Sequence, residues 1–502
     1  MLETISLQNF KGFKDLENLN TKPITILCGT NSCGKSSILQ SILLLKQTLE
    51  SQNPNQTLLL NGRFVHLGSF ENIVFKKDLD NKLIFDFVFK ITKREKFLLN
   101  SNRITRFYLR DFLDISASQE SQAEIYIHFK FVLKSPDINI KNKGNYLKTI
   151  VVEQLQFKVE AITSEKQILP GLCIEVSIID NELYKIKWEN ITSRNSRDLA
   201  NGEVTSKIKF TNLFPSGISI VSDTSDSAIS QQNMALESNL GFTFNRIKNV
   251  LQTIFYSYTY IGPLREEPSR RYIYEDEIVE IGIKGENAAY IYSINQDQKI
   301  SNHYFYNPQS NSFTKKSEVK LSLAVQEWLE LMNIKGFKSE PINEIIHLNL
   351  NSNSKTRVSI ADVGFGVSQI FPIILEGLRM PLSNTLLLEQ PEIHLHPNLQ
   401  MQMSDYFIGL ALSGKKVIVE THSDHIINRL VRRIVEDESH QLKDLIGIYF
   451  ISSTEDSSTY EEIKIDENRG VVNWPVDFFD QVANEQESIL RAGLKKRKNV
   501  KK

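Results

Sequence analysis

Residues 23–40 read PITILCGTNSCGKSSILQ, and the order of residue types along them decides the fold. The apolar run Ile24–Cys28 has the length and β-branched content of a buried strand. The leucines and isoleucines of SILQSILLLKQTL, which follow, recur at helical spacing. Between the two, GTNSCGKS fits G-x-x-x-x-G-K-[ST], a motif that needs a strand before it and a helix after it. Gly29 and Gly34 let the backbone wrap around phosphate oxygens with its N–H groups turned inward. Lys35 brings a point charge to the β- and γ-phosphates, and Ser36 offers a hydroxyl to Mg²⁺. The competing reading, an incidental glycine turn, explains neither the lysine nor the flanking elements. The stretch implies nucleoside triphosphate binding.

Composition sets wider bounds. The 502 residues are 41% hydrophobic and 24% charged, with a net charge of -1. That is ordinary for a globular protein of two to four domains. A nucleic-acid contact therefore has to come from a local patch. No apolar run is long enough to span a bilayer, and MLETISLQNFKGF lacks the pattern of a signal peptide. Cys28, Cys33 and Cys173 show no metal-ligand spacing and are too few for a disulfide framework. The expectation is a cytoplasmic protein with no membrane contact.

From Gly68 to about Leu213 the chain alternates apolar and polar residues, as in KLIFDFVFKI, EIYIHFKFVL, VVEQLQFKVEA and YKIKWEN. This is the pattern of half-exposed antiparallel strands. SDTSDSAISQQN and NPQSNSFTKKS read as loops. Helical patterns cover ESNLGFTFNRIKNVLQTIF and KLSLAVQEWLELMNI. From Ile345 strands and helices alternate again through RVSI, TLLLE, KVIVE and LIGIYFIS, which argues for a parallel sheet. The β-rich middle thus interrupts one α/β unit whose halves lie near the chain ends. No heptad pattern is sustained, so no long coiled coil is expected. The terminal LKKRKNVKK reads as a solvated basic tail, with nucleic-acid or partner contact as the alternative.

Three further stretches carry chemistry. DVGFGVSQIFPII places Gly366, Ser368 and Gln369 at the start of an apolar helix, a site that favours anions. LLLEQPEIHLHP ends a buried strand in Glu389, followed by Gln390 and Glu392. THSDHIINRL puts His422 just past another strand, within reach of a γ-phosphate. A zinc cluster of His394, His396, His422 and His425 is the rival reading, though no cysteine joins it. Arg265, Arg270 and Arg271 in GPLREEPSRR make either loop salt bridges or phosphate and partner contacts.

Taken in order, LQNFKGFKDLENL, the phosphate loop, YIGPLR, DVGFGVSQIFPI, LLLEQPEIHLHP, VETHSDHI and NWPVDFFDQ resemble ABC-type ATPase heads. They are most similar to bacterial AAA-type proteins related to the SMC, RecF and OLD families. The likeness covers residues 1–75 and 255–490 and is thin between them. It implies an α/β fold, a P-loop ATPase head with a mainly parallel sheet interrupted by a β-rich insertion. Residues 1–75 would form the first half of the head and 76–315 the β-rich subdomain and insertion with its helices. Residues 316–465 would form the second half, and 466–502 a C-terminal helix and basic tail. By position, Lys11 and Phe13 would lie near the adenine of ATP. The loop Gly29–Ser37, with Asn31, Gly34, Lys35, Ser36 and Ser37, would hold the phosphates. Ser36 and Glu389 would serve Mg²⁺, with glutamate in place of the usual aspartate. Gly366 and Ser368 would act in trans on a partner's γ-phosphate, HLHP would replace the dimer-contact loop, and His422 would be the switch. GSFENIVF offers no glutamine where the family's Mg²⁺-sensing glutamine stands.

Gln390 occupies the position where such ATPases carry the water-activating glutamate. An amide orients water but cannot take its proton, and a general base contributes on the order of 10²- to 10⁴-fold. Either Glu392 supplies the base and hydrolysis is slow, or ATP acts as a latch. The resemblance implies a homodimer or higher homo-oligomer joined through its heads. It also implies a role in anti-phage defence beside a separate nuclease or toxin. A RecF-like repair ATPase that binds DNA, and an assembly protein that ATP only stabilises, are the alternatives.

Overall fold

The structure is a computed structural model that describes residues 2–53, 56–91, 112–113, 123–135, 150–180, 182–190, 201–221, 227–273, 280–352, 356–364, 366–475 and 485–493. The chain opens with β1 (Leu2–Phe10), β2 (Phe13–Asn20), β3 (Ile24–Gly29) and helix α1 (Lys35–Glu50). Seven strands follow: β4 (Leu83–Ile91), β5 (Glu124–Lys134), β6 (Val151–Ile162), β7 (Ile168–Asp180), β8 (Leu183–Glu189), β9 (Asn201–Thr211) and β10 (Phe214–Ile220). Next come α2 (Ser227–Tyr256), β11 (Tyr258–Ile261), β12 (Tyr272–Ile273), α3 (Ala288–Asn295), β13 (Lys299–Asn307), β14 (Ser312–Lys320) and α4 (Leu321–Leu331). Strands β15 (Lys335–Ile342), β16 (Ile345–Asn351) and β17 (Arg357–Ser359) precede α5 (Gly366–Arg379). The closing part is β18 (Thr385–Glu389), α6 (Pro397–Ser413), β19 (Lys416–Glu420), α7 (Asp424–Glu436), β20 (Ile446–Ser453) and β21 (Ser458–Glu462).

The largest sheet is antiparallel, which corrects the expectation of a mainly parallel architecture. It has nine strands in the order β10-β9-β8-β7-β6-β5-β4-β1-β2. Each strand from β4 to β10 pairs with its neighbour in sequence, and β1 and β2 extend the sheet at its far edge. The meander follows from the period-two pattern: Phe85, Phe87 and Phe89 all point to one buried face, and Asp86 and Val88 between them face the other way, half-buried.

The second sheet has six strands, β11-β18-β19-β3-β20-β21, of which only β21 runs antiparallel. Its central strands are buried on both faces, as continuous apolar runs require. Alternate residues enter two different cores. Leu27, Leu387, Ile418 and Ile451 join the aromatic core that the nine-stranded sheet shares with α1 and α2. Ile26, Cys28, Leu386, Leu388, Val417 and Val419 join a second core beneath α4, α5 and α6, centred on Trp328, Phe371 and Tyr406.

Two polar stretches are more regular than expected. Within Ser222–Asn233, α2 begins at Ser227, and Ser227–Asn233 holds no glycine or proline to oppose it; its buried stripe starts only at Leu240. In Asn307–Ser317 the turn is confined to NPQSN, and the rest is β14, paired with β13 in a hairpin whose polar residues face solvent. The longest described helix is α2, at 30 residues; it packs on α1 and β10, and no coiled-coil arm exists among the described residues. No described helix is long and apolar enough to cross a membrane. NWPVDFFDQ beyond Pro475 and the LKKRKNVKK tail lie outside the described residues.

Candidate nucleotide and hydrolysis site

The phosphate loop is built where β3 runs out. Gly29 has φ 138°, and a Cβ there would stand 1.9 Å from the Ile451 carbonyl oxygen. Only glycine fits this approach to β20. Gly34 caps α1 with φ 104°, and its Cβ would meet the Phe13 ring at 2.9 Å. Phe13 is fully buried. It supports the loop from beneath, so the expected position beside an adenine does not fit a ring with no exposed face.

Lys35 is 3% exposed and folds back on its own loop, donating from Nζ to Thr30 O at 2.6 Å and Gly29 O at 3.2 Å. These carbonyls occupy the ammonium where phosphate oxygens would. The open N–H groups at the start of α1 add the positive end of its dipole to the same space. No acidic side chain in the first turn opposes it.

Two acids, Glu389 and Glu420, end neighbouring parallel strands beside the loop, at the crevice in which such sheets bind ligands. Glu389 is in register with Glu420 on the adjacent strand, and Glu420 with Leu27 on β3. Ser36 Oγ donates to Glu420 Oε1 at 2.8 Å. The other oxygen of Glu420, Oε2, is buried without a hydrogen-bond partner. Glu389 is hydrogen-bonded to the Tyr260 hydroxyl; burial and the neighbouring Glu420 push its carboxyl up to about 7, against the pull of Tyr260 and Lys11. Lys11, whose ammonium is lowered by burial, pairs with Gln40 one turn beyond Ser36.

Gln390 sits at φ 45° with its N–H on Glu420 O at 2.7 Å. Its carbonyl accepts both terminal nitrogens of Arg265 at 3.2 Å. This clamp holds the turn that returns Glu392 to the site. Glu392 Oε1 accepts the His422 backbone N–H at 2.6 Å, and its Oε2 is buried with no partner. Burial raises its carboxyl, against the pull of the His422 N–H, Thr421 and Arg265. Partial desolvation, and then the charge of Lys35, hold the His422 imidazole below its usual value. Glu392 and His422 therefore belong to the same side of the loop as Lys35.

Other expected residues are placed elsewhere. Ser368 and Gln369 are buried in the first turns of α5, and a Cβ at Gly366 would stand 3.6 Å from His394 O. The glycine-serine segment and the HLHP loop thus form one packed unit. Arg270 pairs with Asp362 of that segment at 2.5 Å, a loop salt bridge, whereas Arg265 is interior. The zinc reading fails: His396 caps α6, His425 lies against Asp424, and among the described residues no three His, Cys, Asp or Glu side chains are grouped for a metal. Magnesium makes a different demand, one or two carboxylates beside phosphate oxygens and water. Ser36 and the half-satisfied Glu420, next to Glu389, meet it. Reading the sequence missed Glu420, Tyr260 and Gln40. Glu420 was open to the logic applied to Glu389, an acid ending a buried strand.

A family model described as an AAA ATPase domain matches residues 1–427, and one described as a protein of unknown function (DUF3696) matches residues 443–489. No curated protein matches the chain. Among solved structures it is similar to an SMC head domain from Thermotoga maritima, at 9% identity and TM-score 0.34, over 92% of this chain and 99% of that one. A second is an SMC head bound to the C-terminal winged-helix domain of ScpA, at 10% identity and TM-score 0.37, over 93% and 98%. A third, described as derived from Pyrococcus furiosus, is an SMC head with an extended coiled coil bound to the C-terminal domain of ScpA, at 8% identity and TM-score 0.34, over 92% and 96%.

Proposed function

The chain belongs to the AAA ATPase domain family, and we propose that it is a nucleotide-gated head whose subunits pair on ATP and part on slow hydrolysis. What carries the reading is the turn after β18. Its usual base position holds Gln390, locked by Arg265, while Glu392 reaches the site with one oxygen on the His422 N–H and the other unpartnered.

Lys35 leaves the Thr30 and Gly29 carbonyls for the β- and γ-phosphates, and the loop N–H groups close around them. Ser36 and a strand-end carboxylate beside it would hold Mg²⁺, which would offset the negative charge of the phosphate oxygens. Glu392 Oε2 takes the proton of the attacking water, and the His422 side chain faces the γ-phosphate. Gly366 and Ser368 meet the nucleotide of the opposing subunit, so the second head completes the site. Turnover is slow because the base stands two residues beyond its usual place, reached through a turn.

The resemblance of the motif set to OLD-type heads is what supports a place in anti-phage defence, as a sensor or scaffold for a separate nuclease or toxin. The packing of α2 on its own head, with no arm extended from the described residues, supports a compact switch. Wild type and Lys35→Ala are compared in single-turnover ATP hydrolysis and in sedimentation with and without ATP. Turnover and ATP-dependent pairing in the wild type, both lost in the variant, are expected. Equal ATP binding by the two would overturn the phosphate-loop assignment, and strong stimulation by duplex DNA would move the reading to a repair ATPase.

A further inference from the structure

We infer that Glu420, at the end of β19, is the carboxylate that works with Ser36 on the divalent cation of the nucleotide, while Glu389 stands behind it. The inference rests on the nucleotide reading above and adds which acid performs the metal's part.

Four observations lead to it. The hydroxyl that a phosphate loop turns to its cation is that of Ser36, and in this chain that hydroxyl lies 2.8 Å from Glu420 Oε1. An acid in hydrogen-bond contact with a metal-binding hydroxyl is within reach of the same ion. Second, Glu420 is 4% exposed, yet its Oε2 has no donor. A buried carboxylate oxygen left unsatisfied is costly, and a hard cation satisfies it as a hydrogen-bond donor would. Third, β19 is the direct neighbour of β3, the strand that launches the phosphate loop, whereas β18 is one strand further out. Fourth, Glu389 already has the Tyr260 hydroxyl and the Lys11 ammonium as neighbours. Glu420 also has the Ser36 hydroxyl and the Lys35 charge beside it, both from the phosphate loop, and keeps one buried oxygen unmet.

Glu420→Gln, Glu389→Gln and Lys35→Ala are compared with wild type in two binding assays. A fluorescent ATP analogue is titrated in EDTA and in Mg²⁺, and protein-bound Mn²⁺ is followed by electron paramagnetic resonance with ATP present. Glu420→Gln is expected to keep the affinity seen in EDTA, to lose the tightening by Mg²⁺ by about tenfold or more, and to lose the bound Mn²⁺ signal. Glu389→Gln keeps both. The reverse pattern, or two variants that both behave as wild type, overturns the inference and leaves the nucleotide site standing. Wild type that binds no better than Lys35→Ala in EDTA overturns the nucleotide site and this inference with it. Glu420→Asp covers the case in which the amide variant does not fold: it keeps the charge one methylene short, so weaker Mn²⁺ binding with an altered spectrum is expected. An affinity and spectrum identical to wild type would count against the assignment.

Discussion

Replacing Glu392 by glutamine isolates a single chemical property. The amide has nearly the same volume, and its oxygen can still accept the His422 N–H that Oε1 holds at 2.6 Å. The Arg265 grip on the Gln390 carbonyl is made to backbone and is unaffected. What disappears is the ability of the second oxygen, now buried and unpartnered, to take a proton. Loss of a general base costs on the order of 10²-fold or more, which is about 2.7 kcal/mol in the barrier. Single-turnover hydrolysis under saturating Mg²⁺ measures it, with ATP affinity as the control that stays unchanged. The pH profile gives a second signature. Burial raises the Glu392 carboxyl, and a base must be ionised to work. The wild-type rate therefore falls on acidification at a pH above the ordinary carboxylate range, and the residual rate of the variant lacks that limb. Equal, substantial rates in wild type and variant would remove Glu392 as the base and direct attention to His422. Background rates in both would make ATP a latch.

Gln390→Glu returns a carboxylate to the strand end and is expected to raise turnover and shorten the life of the ATP-bound assembly, read in the same assay with Mg²⁺ saturating. Ser368→Ala removes a buried hydroxyl in the first turns of α5 without adding bulk, and is expected to leave ATP binding by each subunit intact and weaken ATP-driven pairing; sedimentation that shows pairing as in wild type would refute the trans role. Asp405→Asn removes the charge from a buried bidentate pair in which Arg433 donates at 2.7 and 3.2 Å; Arg433 keeps Glu436 and Asn311, so urea denaturation should show a loss of about 1–3 kcal/mol.

The parts of the site that lie close together in sequence could be read from it. A strand, two glycines, a lysine and a serine within Ile24–Ser36 specify the loop, and Gln390 declared its own anomaly. Residues joined only by sheet pairing were beyond that reading. Ser36 and Glu420 meet across 384 positions because β19 lies beside β3, and nothing in either segment states that order. The same holds for β1 and β2, which look like part of the α/β unit yet close the edge of the antiparallel sheet. The burial of Phe13 was hidden for a related reason: an aromatic near a glycine loop suits stacking or support, and only the contact with Gly34 decides. Alternation was the most reliable local signal, since β4, β5, β6 and β8 needed only the period-two pattern to be recognised.

The position of β3 has a consequence for how the molecule is made. On the ribosome, β3 and its phosphate loop emerge long before both neighbours of that strand, β19 and β20, are synthesised. Strands β1 and β2, by contrast, find β4 soon afterwards and can begin the antiparallel sheet while the chain is growing. Because a parallel sheet closes only when distant segments meet, the ATP site is assembled only after β19 has emerged, beside antiparallel strands made earlier. A nascent chain that stalls before about residue 416 would carry a complete phosphate-loop sequence and no site to use it.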